Sequence, residues 1–96
     1  MVTRDDLRRH RDVILEIAHR YGAHQVRIFG SVARGDATES SDVDLVVRFE
    51  PDRSLFDHGG LIDELEDLLG VKVDVVSEAG MRDRLRARVL KEAVPL

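Results

Sequence analysis

Residues 42–49, DVDLVVRF, constrain the fold more than any other stretch of this chain. A strand repeats every two residues, so Asp42 and Asp44 leave one face while Val43, Leu45 and Val47 leave the other. A chain that holds this strand must bury one face of a sheet and leave the second face to polar chemistry. Carboxylates held that close repel and raise one another's pKa unless a cation lies between them, and hard oxygen ligands select Mg²⁺ or Mn²⁺. The pair taken alone also fits a solvated strand edge, where charge blocks aggregation. An EF-hand is excluded, because Val46 and Val47 stand where that loop needs Asp or Asn and then Gly.

The rest of the chain supplies partners for this strand. Thr3 and Asp6 form a capping-box pattern, and Leu7, Ile14, Ile17, Ala18 and Tyr21 recur at helical spacing, which predicts a helix over 4–21 closed by Gly22. Residues 25–29 alternate Val26 and Ile28 against Gln25 and Arg27 as a half-buried strand that stops at Gly30. GDATESS (35–41) reads as an exposed loop, and Pro51 ends the second strand. LIDELEDLLG predicts a helix from about 60 to Gly70. Ser54 and Asp57 offer an earlier start, against which Gly59 and Gly60 would each cost about 1 kcal/mol inside a helix. VKVDVVS reads as a third strand covered on most of its surface, and MRDRLRARVLKEAV as a closing helix with Met81, Leu85, Val89 and Ala93 on one side. The order α, β, loop, β, α, β, α gives an α+β fold, a small mixed sheet of about three core strands flanked by helices. With 96 residues, it is expected to form one domain over 1–96 with no separate substrate domain.

Fifteen Lys and Arg against nineteen Asp and Glu leave a formal charge of −4, so an anionic ligand needs a local site and nucleic acid is not the expected partner. With no Cys, disulfides and thiolate metal sites are excluded. No apolar run approaches the roughly 20 residues of a bilayer span, and MVTRDDLRRH is charged where a signal peptide turns apolar, so a cytoplasmic chain is expected. Arg82, Arg84, Arg86, Arg88 and Lys91 make the last helix basic. A solvated or partner-facing surface is the first reading and RNA contact the second, with no aromatic side chain in the stretch to stack on bases. Asp63, Glu64, Glu66 and Asp67 read as a solvated helix face. His10, His19, His24 and His58 lie far apart without metal-ligand spacing, and His10 is expected at the edge of the first helix's apolar stripe.

Chemistry concentrates between Phe29 and Leu45. GSVARG follows a strand directly, so its glycines let backbone amides approach a phosphate while Ser31 and Arg34 add a hydroxyl and a guanidinium. By itself such a turn also describes an ordinary loop. It is not a Walker A loop, since Asp36 and Ala37 stand where Lys and then Ser or Thr are required, and no GxGxxG is present. Asp74 adds a third carboxylate in an apolar strand, where burial would make it hard to place. A neighbouring backbone amide is one partner for it. A metal is the other, because three carboxylates on neighbouring strands facing a phosphate-cradling turn match the oxygen cage of a two-metal site with ions about 3.5 to 4 Å apart.

Gly30-Ser31, ten residues from Val32 to Ser41, and Asp42-Val43-Asp44 together resemble the signature of the minimal nucleotidyltransferases of the DNA polymerase beta superfamily. Ala33-Arg34-Gly35 after Gly-Ser and a later strand acid, Asp74, fit the same resemblance. It implies transfer of a nucleoside monophosphate, with ATP the prior donor among nucleoside triphosphates, to an acceptor hydroxyl. In that reading Asp42 and Asp44 hold two Mg²⁺ ions, with Mn²⁺ an alternative. Asp74 completes the catalytic metal and orients or deprotonates the hydroxyl, while Gly30, Ser31 and Arg34 hold the β- and γ-phosphates. The resemblance further implies an antitoxin that adds AMP to a Tyr of a HEPN-type ribonuclease toxin. Competing readings are a module that silences its partner by occlusion alone and an RNA-end nucleotidyltransferase. Small-molecule nucleotidyltransferases of the family carry an extra domain. An apolar helix face left over would suit a partner or a second copy.

Overall fold

Thr3 starts the first helix by accepting a hydrogen bond from the Asp6 amide at 3.2 Å, while the Asp6 carboxylate accepts one from the Thr3 amide at 2.9 Å. Two otherwise orphaned donors are thereby satisfied. The computed structural model describes residues 1–96, and in it this helix does not run unbroken to 21. α1 (Arg4–Arg9) ends at His10, and α2 (Arg11–Arg20) begins from the same residue. His10 is exposed rather than at the edge of an apolar stripe, and its Nδ1 lies 2.9 Å from the Asp6 carbonyl. A side chain bonded to a carbonyl one turn back competes with the backbone ladder, which is a local cause for the break.

β1 (Ala23–Phe29) is joined by the one-turn helix α3 (Gly30–Arg34) and a loop to β2 (Val43–Phe49). The two strands pair antiparallel, and β2 pairs parallel with β3 (Val73–Ser77) across α4 (Leu55–Leu69). After β3 a 3₁₀ turn (Glu78–Gly80) leads into α5 (Asp83–Glu92). The chain then forms a fourth strand, β4 (Val94–Pro95), antiparallel to β1, which makes the order β3-β2-β1-β4. Two residues are too few to show a period in sequence, and Pro95 suits an edge. The closing helix is therefore shorter than expected at both ends, and Met81 lies outside it.

One face of this mixed sheet is packed. Val26, Ile28, Val43, Leu45, Val47, Val73 and Val75 join Leu7, Ile14, Ile17, Ala18, Leu61 and Leu65 in one buried cluster. The second face has only partial cover. Val46 and Met81 are buried yet stand outside that cluster. The 3₁₀ turn packs on β2 there, where Arg27 donates to Glu78 at 2.8 Å and Arg48 lies 3.6 Å from the same carboxylate. The Arg27 hydrogen bond holds the Glu78 carboxyl below its ordinary range against the opposing effect of burial, and the charges of Arg27, Arg48 and Arg86 add to it.

α4 takes the earlier of its two possible starts. Ser54 accepts from the Phe56 amide at 3.2 Å, and Asp57 accepts from the Ser54 amide at 3.0 Å. Gly59 and Gly60 therefore lie inside the helix, and packing explains the second of them. A Cβ at Gly60 would stand 2.5 Å from Tyr21 Cε1, whose ring is pinned by a 2.7 Å hydrogen bond from its hydroxyl to Glu64. The bare backbone is the seat of the Tyr21 ring.

Two outcomes test this packing. Gly59→Ala, which meets nothing within 4 Å, gains about 0.5 to 1 kcal/mol in denaturant unfolding. Gly60→Ala loses about 1 to 3 kcal/mol in spite of its better helix propensity. Glu78→Gln lowers the melting temperature by several degrees at neutral pH. Because the Glu78 pKa is depressed in the fold, its stabilisation is complete above the unfolded value of about 4.3 and is lost as pH falls through the folded one, so melting curves of wild type and variant converge in acid.

Candidate active site

The strand period places Asp44 where the sequence expects it, on the face opposite Val43, Leu45 and Val47. In the ladder Asp44 stands opposite Phe29 on β1 and opposite Asp74 on β3, so Phe29, Asp44 and Asp74 form one row across the open face. Asp42 lies one residue before β2 and is half-buried. Asp74 is exposed, contrary to the expectation of a covered strand. β3 is an edge strand, and Val73 and Val75 take its packed face, which turns Asp74 to the open one.

The electrostatics single out Asp44. Burial pushes its carboxyl above the ordinary range, Asp74 and then Asp42 push it further, and Arg34 opposes them. Asp44 thus feels the other two carboxylates across two strands. No group of three carboxylate or imidazole side chains stands close enough to close a metal cage as it is, so the aspartates form an open array. An open array of oxygen donors fits Mg²⁺, which keeps several waters and takes only one or two protein carboxylates at a typical site.

Gly30 shows how tightly the motif is built around that array. It sits at φ +72°, in the left-handed region, and a Cβ there would collide with Asp44 Oδ2. The glycine therefore makes room for a carboxylate as well as for the turn. GSVAR is a one-turn helix rather than an open turn, closed by Gly35 at φ +81°. Phe29 precedes it without a side-chain cap, so the first amides of α3, including that of Ser31, have no intrahelical acceptor. Arg34 is engaged, with Nε 3.3 Å from Asp36 and Nη1 3.7 Å from Glu92. Both pairs are exposed and therefore weak.

Phe29 is the site residue that motif reading missed. It is half-buried beside Asp44 and outside the core cluster. The alternation that sends Val26 and Ile28 inward already leaves Arg27 and Phe29 on the other face, so the signal was present in β1. A cavity of about 270 Å³, lined by Arg4, Arg8, Val32, Gly35 and Ala37 among others, lies against α1 and the motif loop and includes none of the three aspartates.

Comparison with known proteins adds an independent line. The family described as Nucleotidyltransferase domain matches residues 7–96. The protein adenylyltransferase MntA of Thermococcus cleftensis is 40% identical over 79 residues, covering 82% of this chain and 80% of that protein. A solved structure described as a candidate minimal nucleotidyltransferase superposes with a TM-score of 0.90 at 54% identity, over 99% of this chain and 97% of that one. A crystal structure of a toxin–antitoxin with AMP-PNP shares the fold at a TM-score of 0.76 and 20% identity, over 88% of this chain and 69% of that one.

The packing at Gly30 makes its own prediction. Gly30→Ala costs about 1 to 3 kcal/mol of stability from φ strain and displacement of Asp44, whereas Gly35→Ala, with open space at its Cβ, costs only about 1 to 2 kcal/mol from φ. Urea unfolding of the two variants separates these terms.

Proposed function

The chain belongs to the nucleotidyltransferase domain family, in its minimal branch, and is a nucleotidyltransferase; from that premise we propose that it moves AMP from ATP to a hydroxyl of a partner protein. The observation that carries this reading is the row of Asp44 and Asp74 with Asp42 beside it, facing the uncapped start of α3. The protein acceptor is supported by the name of the Thermococcus relative, protein adenylyltransferase. The family resemblance supports, as that acceptor, a Tyr of a HEPN-type toxin, with this chain as the antitoxin. In this reading residues 1–96 act as one catalytic unit drawing on cytoplasmic ATP.

In this mechanism Asp42 and Asp44 would hold Mg²⁺, with Asp74 as a further oxygen donor. The bound ions would supply positive charge against the phosphate oxygens and the leaving pyrophosphate. Amides at Gly30 and Ser31 and the Ser31 hydroxyl receive the β- and γ-phosphates at the start of α3. Arg34 exchanges its weak contacts with Asp36 and Glu92 for phosphate oxygen. Asp74, exposed at the strand edge, orients the acceptor hydroxyl and takes its proton as the oxygen bonds to the α-phosphorus. The bond from that phosphorus to the β-phosphate oxygen breaks in line, and pyrophosphate leaves.

The test is transfer from α-labelled ATP with Mg²⁺ to the product of the adjacent gene. Wild type labels the partner and releases pyrophosphate, and the Asp42→Asn, Asp44→Asn double variant loses about a hundredfold or more of that rate. Equal labelling by the double variant would remove the aspartates from the mechanism. A tight, unlabelled complex that both forms neutralise equally would replace transfer with occlusion.

A further inference from the structure

No side chain of α5 is buried over its ten residues. Residues 82–92 hold five basic and two acidic side chains in a chain whose formal charge is −4. Arg84, Arg88 and Lys91 follow the spacing i, i+4, i+7, which gathers them on one outward stripe. Arg82, Arg84, Arg88 and Lys91 are all exposed and make no ion pair, whereas Arg27, Arg34, Arg48, Arg53 and Arg86 each have a carboxylate partner. Leu85 borders the stripe and is 50% exposed.

The position of α5 gives this charge a use. The helix leaves the 3₁₀ turn that Glu78 fastens to Arg27 and Arg48 on the open face, touches α3, and ends with Glu92 at 3.7 Å from Arg34 of the motif. A free basic stripe thus lies on a helix that touches α3, the motif helix whose Gly30 stands against Asp44. An acidic acceptor would be repelled by Asp42, Asp44 and Asp74 taken alone, and a basic rim reverses the sign of the field along its approach.

We propose that α5 is the docking surface for the acceptor protein and that it binds an acidic patch of that protein, with Leu85 as the apolar contact inside a ring of Arg and Lys. This deepens the proposed function and rests on it. The surface fits protein better than RNA. An apolar residue framed by arginines matches the anatomy of a protein contact, and the stretch offers no aromatic platform for bases.

The experiment uses the full chain with Arg84→Glu and Arg88→Glu, beside an Arg84→Lys, Arg88→Lys control. Its readouts are KM and kcat for labelling of the adjacent-gene protein, Mg·ATP binding by calorimetry, and melting temperature. Charge reversal raises KM for the protein acceptor tenfold or more and leaves kcat, ATP affinity and melting temperature unchanged, and the Lys control retains wild-type KM. An unchanged KM overturns the proposal. So does loss of affinity for a single-stranded RNA oligomer with acceptor KM intact, which assigns the stripe to nucleic acid. If wild type transfers no label, the transfer reading fails, and docking is read from the dissociation constant with the same protein. Reversal then raises that constant tenfold if the surface is right and leaves it unmoved if it is wrong, and the absence of any complex overturns both.

Discussion

The pairing of β2 between two unlike neighbours sets the terms for everything else in this molecule. Antiparallel β1 and parallel β3 fix its register on both sides, so its packed face cannot slip without exposing Val43, Leu45 and Val47. The same register puts Asp44 opposite Asp74 and Phe29. Core packing, which is worth far more than any single charge contact, therefore holds like charges together at a place they would not choose. The raised Asp44 pKa is the local cost, and a divalent cation is the ligand that would relieve it.

What the sequence made legible follows from periodicity and its limits. Asp42, Asp44, Gly30 and the capping boxes at Thr3 and Ser54 are local patterns: a helix starts at each box and Asp44 lies on β2, while Asp42 stands one residue before the strand and the turn at Gly30 is a one-turn helix. The exposure of Asp74 was not legible. An edge strand and a covered central strand share the same Val-rich composition, and only the neighbour count separates them. β4 was invisible because two residues carry no period, and the break at His10 because the apolar stripe from Leu7 to Ile14 continues through it. The packing role of Gly60 was not legible, since the Tyr21 ring that fills its missing Cβ lies 39 residues away in sequence.

Arg34 ties the local and long-range levels together. It lies in the motif helix, opposes the charge on Asp44, and contacts Asp36 nearby and Glu92 at the end of α5. Exposed pairs of this kind are worth roughly 0 to 1 kcal/mol each, so a polyphosphate with its higher charge density competes for the guanidinium at little cost. Glu92 is the last residue of α5, and β4 follows immediately and closes on β1. The motif helix and the end of α5 thus meet at one cation. An anion that draws Arg34 away from Glu92 therefore breaks only an exposed contact, because the pairing of β4 with β1 and the Arg27–Glu78 hydrogen bond anchor the chain on either side of α5.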